Sequence, residues 1–127
     1  MITILVVEDD AMNRDMIARY LAMHDYRVIS AGDGANAVLL ARKARPSLIL
    51  MDMGLPILNG WQATHRLKSL PETCGIPIVA LTAFAMAEDQ AKCLAVGCDA
   101  FESKPVNFDR LLTTVQQLLS DDTESVL

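Results

Sequence analysis

Leu48-Ile49-Leu50-Met51-Asp52, followed by Met53-Gly54-Leu55-Pro56 and then Asn59-Gly60, is the most telling stretch of this chain. An unbroken apolar run of this length suits a central strand of a parallel sheet, covered on both faces. An ionised carboxylate straight after such a strand is costly to desolvate unless it is paired or emerges into a cleft. Gly54 and Pro56 break the strand at once, which puts Asp52 at the carboxyl edge of a sheet. That edge is where open α/β sheets bind ligands. Taken alone, Asp52 reads as a solvated loop aspartate.

A second acidic group has the same setting. The strand Ile2-Thr3-Ile4-Leu5-Val6-Val7 runs into Glu8-Asp9-Asp10. Adjacent carboxylates repel one another unless a cation or a base offsets them. Asp10 is placed to cap a following helix, which leaves Glu8 and Asp9 to be explained. Together with Asp52 they form an all-oxygen donor set of the kind magnesium takes: few carboxylates, several waters and room for a substrate phosphate.

Outward from these strands, the apolar pattern alternates between two periods. Met16, Ile17, Tyr20, Leu21 and His24 mark a helix over about Ala11 to His24. Arg27-Val28-Ile29-Ser30 is a second strand, Gly32-Asp33-Gly34 a turn, and Ala37, Val38, Ala41 and Ala44 a second helix stopped by Pro46. After the Asp52 strand, Trp61, Leu67 and Leu70 fall in a short helix before Pro71. Ile76-Pro77-Ile78-Val79-Ala80-Leu81 is a fourth strand, with its proline at the tolerated position near the start. A helix from about Ala85 to Val96 ends at Gly97, a left-handed cap. Ala100-Phe101-Glu102-Ser103 is a fifth strand, and Phe108, Leu111, Leu112, Val115, Leu118 and Leu119 stripe a last helix. Residues 1–120 therefore read as one domain and 121–127 as a fraying acidic tail. Regular alternation of strand and helix means a parallel sheet with right-handed crossovers and helices on both faces.

Composition narrows the function. A chain of 127 residues, 52% hydrophobic, holds one sizeable aliphatic core. A net charge of −5 argues against direct DNA binding, which needs a basic face. Cys74, Cys93 and Cys98 lack C-x-x-C spacing and read as reduced thiols buried as small apolar residues. No stretch resembles a signal peptide or a membrane span, so a cytoplasmic protein without membrane attachment is expected. His24 and His65 lie on helices away from the strand ends and read as structural residues.

Two more strand ends deliver chemistry to the same edge: Thr82 after Leu81, and Lys104-Pro105 after Ser103. Singly, Thr82 reads as a β-former or helix cap and Lys104 as a surface lysine. With the carboxylates, they complete the parts that move a phosphoryl group, whose negative charge metal, lysine and hydroxyl can hold. At this point the chain resembles a receiver domain of the two-component response-regulator family, of the single-domain type found in chemotaxis regulators. The resemblance covers roughly Ile4 to Leu119 and rests on Val7-Glu8-Asp9-Asp10, Met51-Asp52-Met53 with Pro56 and Gly60, Leu81-Thr82-Ala83, and Ser103-Lys104-Pro105.

The resemblance implies a flavodoxin-like α/β fold, a doubly wound five-stranded parallel sheet in the order 2-1-3-4-5. It implies that Asp52 is the phosphoacceptor, taking a phosphoryl group from a phosphohistidine on a histidine kinase or histidine phosphotransfer protein. Magnesium, with manganese as a substitute, would be held by Asp9, Asp52 and the Gly54 carbonyl, with Glu8 acting through water. Thr82 would hydrogen-bond a phosphoryl oxygen and Lys104 would pair with it. Phe101 stands at the aromatic switch position, though a plain core aromatic fits it as well. Gly54 and Phe84 flank the path of the water that hydrolyses the phospho-aspartate. A cis Lys104-Pro105 bond is also implied.

Such a chain is no enzyme in the ordinary sense, but it catalyses its own phosphorylation and dephosphorylation. With no effector domain after the last helix, output is expected through a downstream protein target. The face made by helix 4, strand 5 and helix 5 is expected to bind that target or a second copy of the chain as a dimer. Both a stand-alone regulator and the receiver of a longer hybrid kinase fit. A receiver-fold interaction module working without phosphorylation would be expected to lack Asp52, Thr82 or Lys104, and all are present. An aspartyl-phosphate phosphatase of the haloacid-dehalogenase type needs a second aspartate where Gly54 stands.

Overall fold

The computed structural model describes residues 1–55, 57–83 and 87–124, the side chains of 87–89 and 121–124 excepted. Strands and helices alternate along the chain: β1 (Thr3–Val7), α1 (Ala11–Met23), β2 (Arg27–Ala31), α2 (Gly34–Ala44), β3 (Leu48–Asp52), α3 (Gly60–Ser69), β4 (Ile78–Thr82), α4 (Ala87–Val96), β5 (Ala100–Ser103) and α5 (Phe108–Glu124). The strands form one parallel sheet in the order β2-β1-β3-β4-β5, the expected flavodoxin-like arrangement.

The long apolar runs explain which strands are central. β3 and β4 are buried at every residue, whereas β2 and β5 are only partly covered, as edge strands are. Side chains alternate across the sheet and make two cores. Leu5, Val7, Ile49, Met51, Ile78 and Ala80 pack on one face with residues of α2, α3 and α4. Ile4, Val6, Leu48, Leu50, Val79 and Leu81 pack on the other with Ile17 and Leu21 of α1 and Leu111 and Val115 of α5.

Several local expectations shift. Met16 is 46% exposed, so the buried stripe of α1 narrows to Ile17 and Leu21. Gly32-Asp33-Gly34 is more than a turn: Asp33 caps α2 by accepting from the Asn36 amide, and Gly34 already belongs to the helix. Pro77 precedes β4, which begins at Ile78. Gly97 adopts φ 100°, the left-handed C-cap read from the sequence. α5 continues to Glu124, past the end of its apolar stripe, so the helix takes up part of the segment expected to fray. Cys93 and Cys98 are buried as expected, but Cys74 is exposed beyond α3. No helix among the described residues is long and apolar enough to cross a membrane.

Candidate functional site

Parallel register brings the strand ends level. Val7 pairs with Met51, Asp52 with Leu81, and Thr82 with Ser103. Glu8, Asp52, Thr82 and Lys104 therefore leave the sheet at one carboxyl edge. Asp9, Asp52, Gly54, Thr82 and Lys104 line a common cleft of about 370 Å³ together with Met53, Ala83, Trp61 and Lys92.

Local contacts fix each group. Asp10 caps α1, accepting from the amides of Met12 at 2.9 Å and Asn13 at 3.1 Å. Arg14, one turn into α1, donates from Nη1 to the Glu8 carbonyl at 2.8 Å, tying the β1–α1 loop down. The Gly54 amide donates to Asp52 Oδ1 at 3.0 Å. The amide of Met53 donates to the Leu81 carbonyl, and that of Lys104 to the Thr82 carbonyl, so both loops stay anchored to β4. The Lys104-Pro105 bond is cis.

The lysine ends between two carboxylates, with Nζ 3.0 Å from Glu8 Oε2 and 3.1 Å from Asp52 Oδ2. Glu8 and Asp52 are both buried, whereas Asp9 is exposed. Burial raises the pKa of Glu8 above its ordinary 4.5, and the Asp52 charge adds to this against the pull of Lys104. Burial draws the Lys104 ammonium down, but its hydrogen bonds to Glu8 and Asp52 outweigh this and hold it above 10.5.

One oxygen each of Glu8, Asp9 and Asp52 lies within 4.8 Å of the others. One ammonium shared between two of these three carboxylates leaves negative charge uncompensated. Hard oxygen donors at that spacing, open to solvent on the Asp9 side, fit a partly hydrated magnesium ion.

The remaining expected residues are distributed as follows. Thr82 is buried at the end of β4, in the cleft. Phe101 pairs in register with Ala80 and is half-buried against the α2–α3–α4 core, beside a cavity of about 270 Å³ that Cys93, Leu94 and Cys98 also line. Phe84 lies outside the described residues. His24 and His65 are exposed and do not line the cleft. Sequence reasoning missed Trp61 and Lys92 as cleft residues. Trp61 follows Gly60 and was legible only as an apolar residue of α3. Nothing local marks Lys92, an ordinary surface lysine of α4.

The chain belongs to the response regulator receiver domain family, whose profile matches residues 4–116. It is 37% identical over 119 residues to the polar-differentiation response regulator DivK of Brucella anthropi, covering 94% of this chain and 97% of that one. The receiver domain of the sensor histidine kinase PA1611 from Pseudomonas aeruginosa, solved with magnesium coordinated in its active-site cleft, superposes with a TM-score of 0.86. Identity there is 36%, over 93% of this chain and 97% of that domain. The chemotaxis protein CheY4 of Vibrio cholerae superposes with a TM-score of 0.88 at 30% identity, over 93% of this chain and 98% of that one. The chain is thus a receiver domain of two-component signalling.

Proposed function

We propose that Asp52 accepts a phosphoryl group from a phosphohistidine on a histidine kinase or phosphotransfer protein. The observation that carries this reading is the Lys104 ammonium 3.1 Å from Asp52 Oδ2, in a cleft that Asp9 and Thr82 share. An Asp52 oxygen attacks phosphorus, the phosphorus–nitrogen bond of the donor breaks, and its electron pair returns to the imidazole. Lys104, already held at the carboxylate, pairs with one oxygen of the transferring group, and the Thr82 hydroxyl donates to another. Asp9, Asp52 and the Gly54 carbonyl would hold magnesium, or manganese in its place, with Glu8 acting through water. When bound, the ion supplies further neutralisation of the transferring charge.

Release by hydrolysis needs water in line with the new bond. A Cβ at Gly54 would stand 3.7 Å from Asp52 Oδ1, so the absence of a side chain leaves that approach open. The companion position expected to tune hydrolysis is Phe84. For output, a charged acceptor on Asp52 strengthens the hydrogen bond from Thr82. Movement of Thr82 toward it frees space for Phe101, which has no hydroxyl to hold its ring at the surface, to turn inward. This shifts an existing equilibrium of the α4–β5–α5 face. That face would bind the downstream protein or a second copy of the chain. Residues 1–120 form the signalling unit and 121–127 an acidic extension.

Acetyl phosphate with magnesium is expected to add one phosphoryl group, read by intact mass, and none to Asp52→Asn. Equal labelling of the variant would overturn the assignment.

A further inference from the structure

Lys92 of α4 and Trp61 of α3 belong to the cleft but have no part in the chemistry described above. Lys92 Nζ lies 4.5 Å from the centroid of the Trp61 ring. Both residues line the cavity shared by Asp9, Asp52, Thr82 and Lys104. An ammonium over an indole face is attracted by the negative face of the ring. The ring thus holds a long, exposed side chain at the wall of the phosphorylation cleft.

Charge supply gives this placement a consequence. Lys104 is already divided between Glu8 and Asp52. A phosphoryl group carries about one and a half to two negative charges in place of the single carboxylate charge of Asp52, and it brings three strong acceptor oxygens. An indole face meets part of the charge of an ammonium but itself offers no acceptor oxygen to N–H donors. A charge-assisted hydrogen bond to phosphate is the stronger partner. Rotation of an exposed lysine stem takes picoseconds to nanoseconds, so exchange between the two partners is fast.

We propose that Lys92 is a second cation of the phosphorylation cleft, docked on Trp61 while Asp52 is bare and paired with a phosphoryl oxygen once Asp52 carries the group. Trp61 is then a positioning residue that keeps the ammonium within reach. The inference rests on the reading of Asp52 as phosphoacceptor.

Trp61 is the only tryptophan of the chain, so its emission reports its neighbour directly. The test uses the full chain at saturating magnesium, titrated with beryllofluoride as the phosphoryl mimic. Wild type is expected to show a Trp61 emission shift that tracks uptake of the mimic. Lys92→Gln should lose most of that shift and bind beryllofluoride about fivefold more weakly, the size of an exposed ion pair, as read by fluorine NMR. Lys92→Arg should restore the affinity, because it keeps the charge. Equal affinity and an equal emission shift in Lys92→Gln would overturn the proposal while leaving the phosphoacceptor reading intact. So would a Lys92→Arg variant as weak as Lys92→Gln, since that pattern belongs to a merely structural lysine. Wild type that takes up no beryllofluoride would overturn both readings.

Discussion

Glu8 is 2% exposed and is paired with a lysine 96 positions away, so the main support for its charge in the fold comes from a distant part of the chain. Its pKa is raised above 4.5, so its contribution to stability is full below that pH and is lost as pH rises through the raised value. Above that window the bare site carries repulsion that Lys104 offsets in part. The cysteines show the same dependence on surroundings. Burial, with Cys93 alongside, pushes the Cys98 thiol from 9.0 up to about 12, whereas Cys74 is exposed. Because the folded value is the higher one, the Cys98 contribution is complete below pH 9.0 and fades as pH rises toward about 12. Native protein at pH 8 should therefore react with a thiol-specific disulfide reagent at Cys74 alone, and unfolded protein at all three cysteines. Cys98→Ala should flatten the loss of stability between pH 9 and about 12, measured by urea unfolding. Rapid native labelling of all three thiols would contradict the burial argument.

Helix α3 sets the position of the Asp52 loop through its first residues. Asn59 and Gln62 form a reciprocal capping box, with the Asn59 side chain accepting from the Gln62 amide at 2.9 Å. Gly60 follows the cap and lies so close to the end of β3 that a Cβ there would collide with the Asp52 carbonyl and with Met53 Cα. Backbone atoms cannot yield as a flexible side chain can, so a methyl must push α3 and the Asp52 loop apart. Gly60→Ala is expected to cost about 1–3 kcal/mol by overpacking. It should also slow labelling by acetyl phosphate at least about tenfold, because misplacing a reacting group by an ångström costs this much or more. Asn59→Ala removes only the cap, about 1 kcal/mol, and should leave labelling near wild type. Parallel urea melts and labelling rates separate the two effects; equal labelling in both variants would refute the close-approach argument.

The fold gathers Glu8, Asp9 and Asp52 before any cation arrives, so an ion that relieves their repulsion binds the folded chain and not the unfolded one. Magnesium at a hundredfold excess over its Kd should stabilise the protein by about 2.7 kcal/mol. For a chain of this size that is a rise in Tm of roughly 8 °C. Asp9→Ala should abolish most of the rise, and because Asp9 is exposed, the variant should fold without metal. A magnesium-dependent rise as large in Asp9→Ala as in wild type, by calorimetry, would remove Asp9 from the site.

Element order and the placement of Asp52, Thr82 and Lys104 at strand ends were legible in the sequence because they depend on local pattern. Apolar runs end at glycine, proline or a polar residue, and the period changes from two to about 3.6. Strand order was not legible from periodicity, since alternating strands and helices allow several windings; it entered only through the family resemblance. Gly34 was misread because Gly-Asp-Gly fits a turn and a helix start equally, and the Asp33 side chain decided between them by capping α2. Residue type likewise could not show that Glu8 is buried and Asp9 exposed, nor that Cys74 differs from Cys98. Lys104 reaching Glu8, and Lys92 resting on Trp61, join residues far apart in the chain. Those contacts exist only after β1, β3, β4 and β5 align in register and α3 packs beside α4, because a chain pattern encodes which face a residue takes but not which distant group will meet it there.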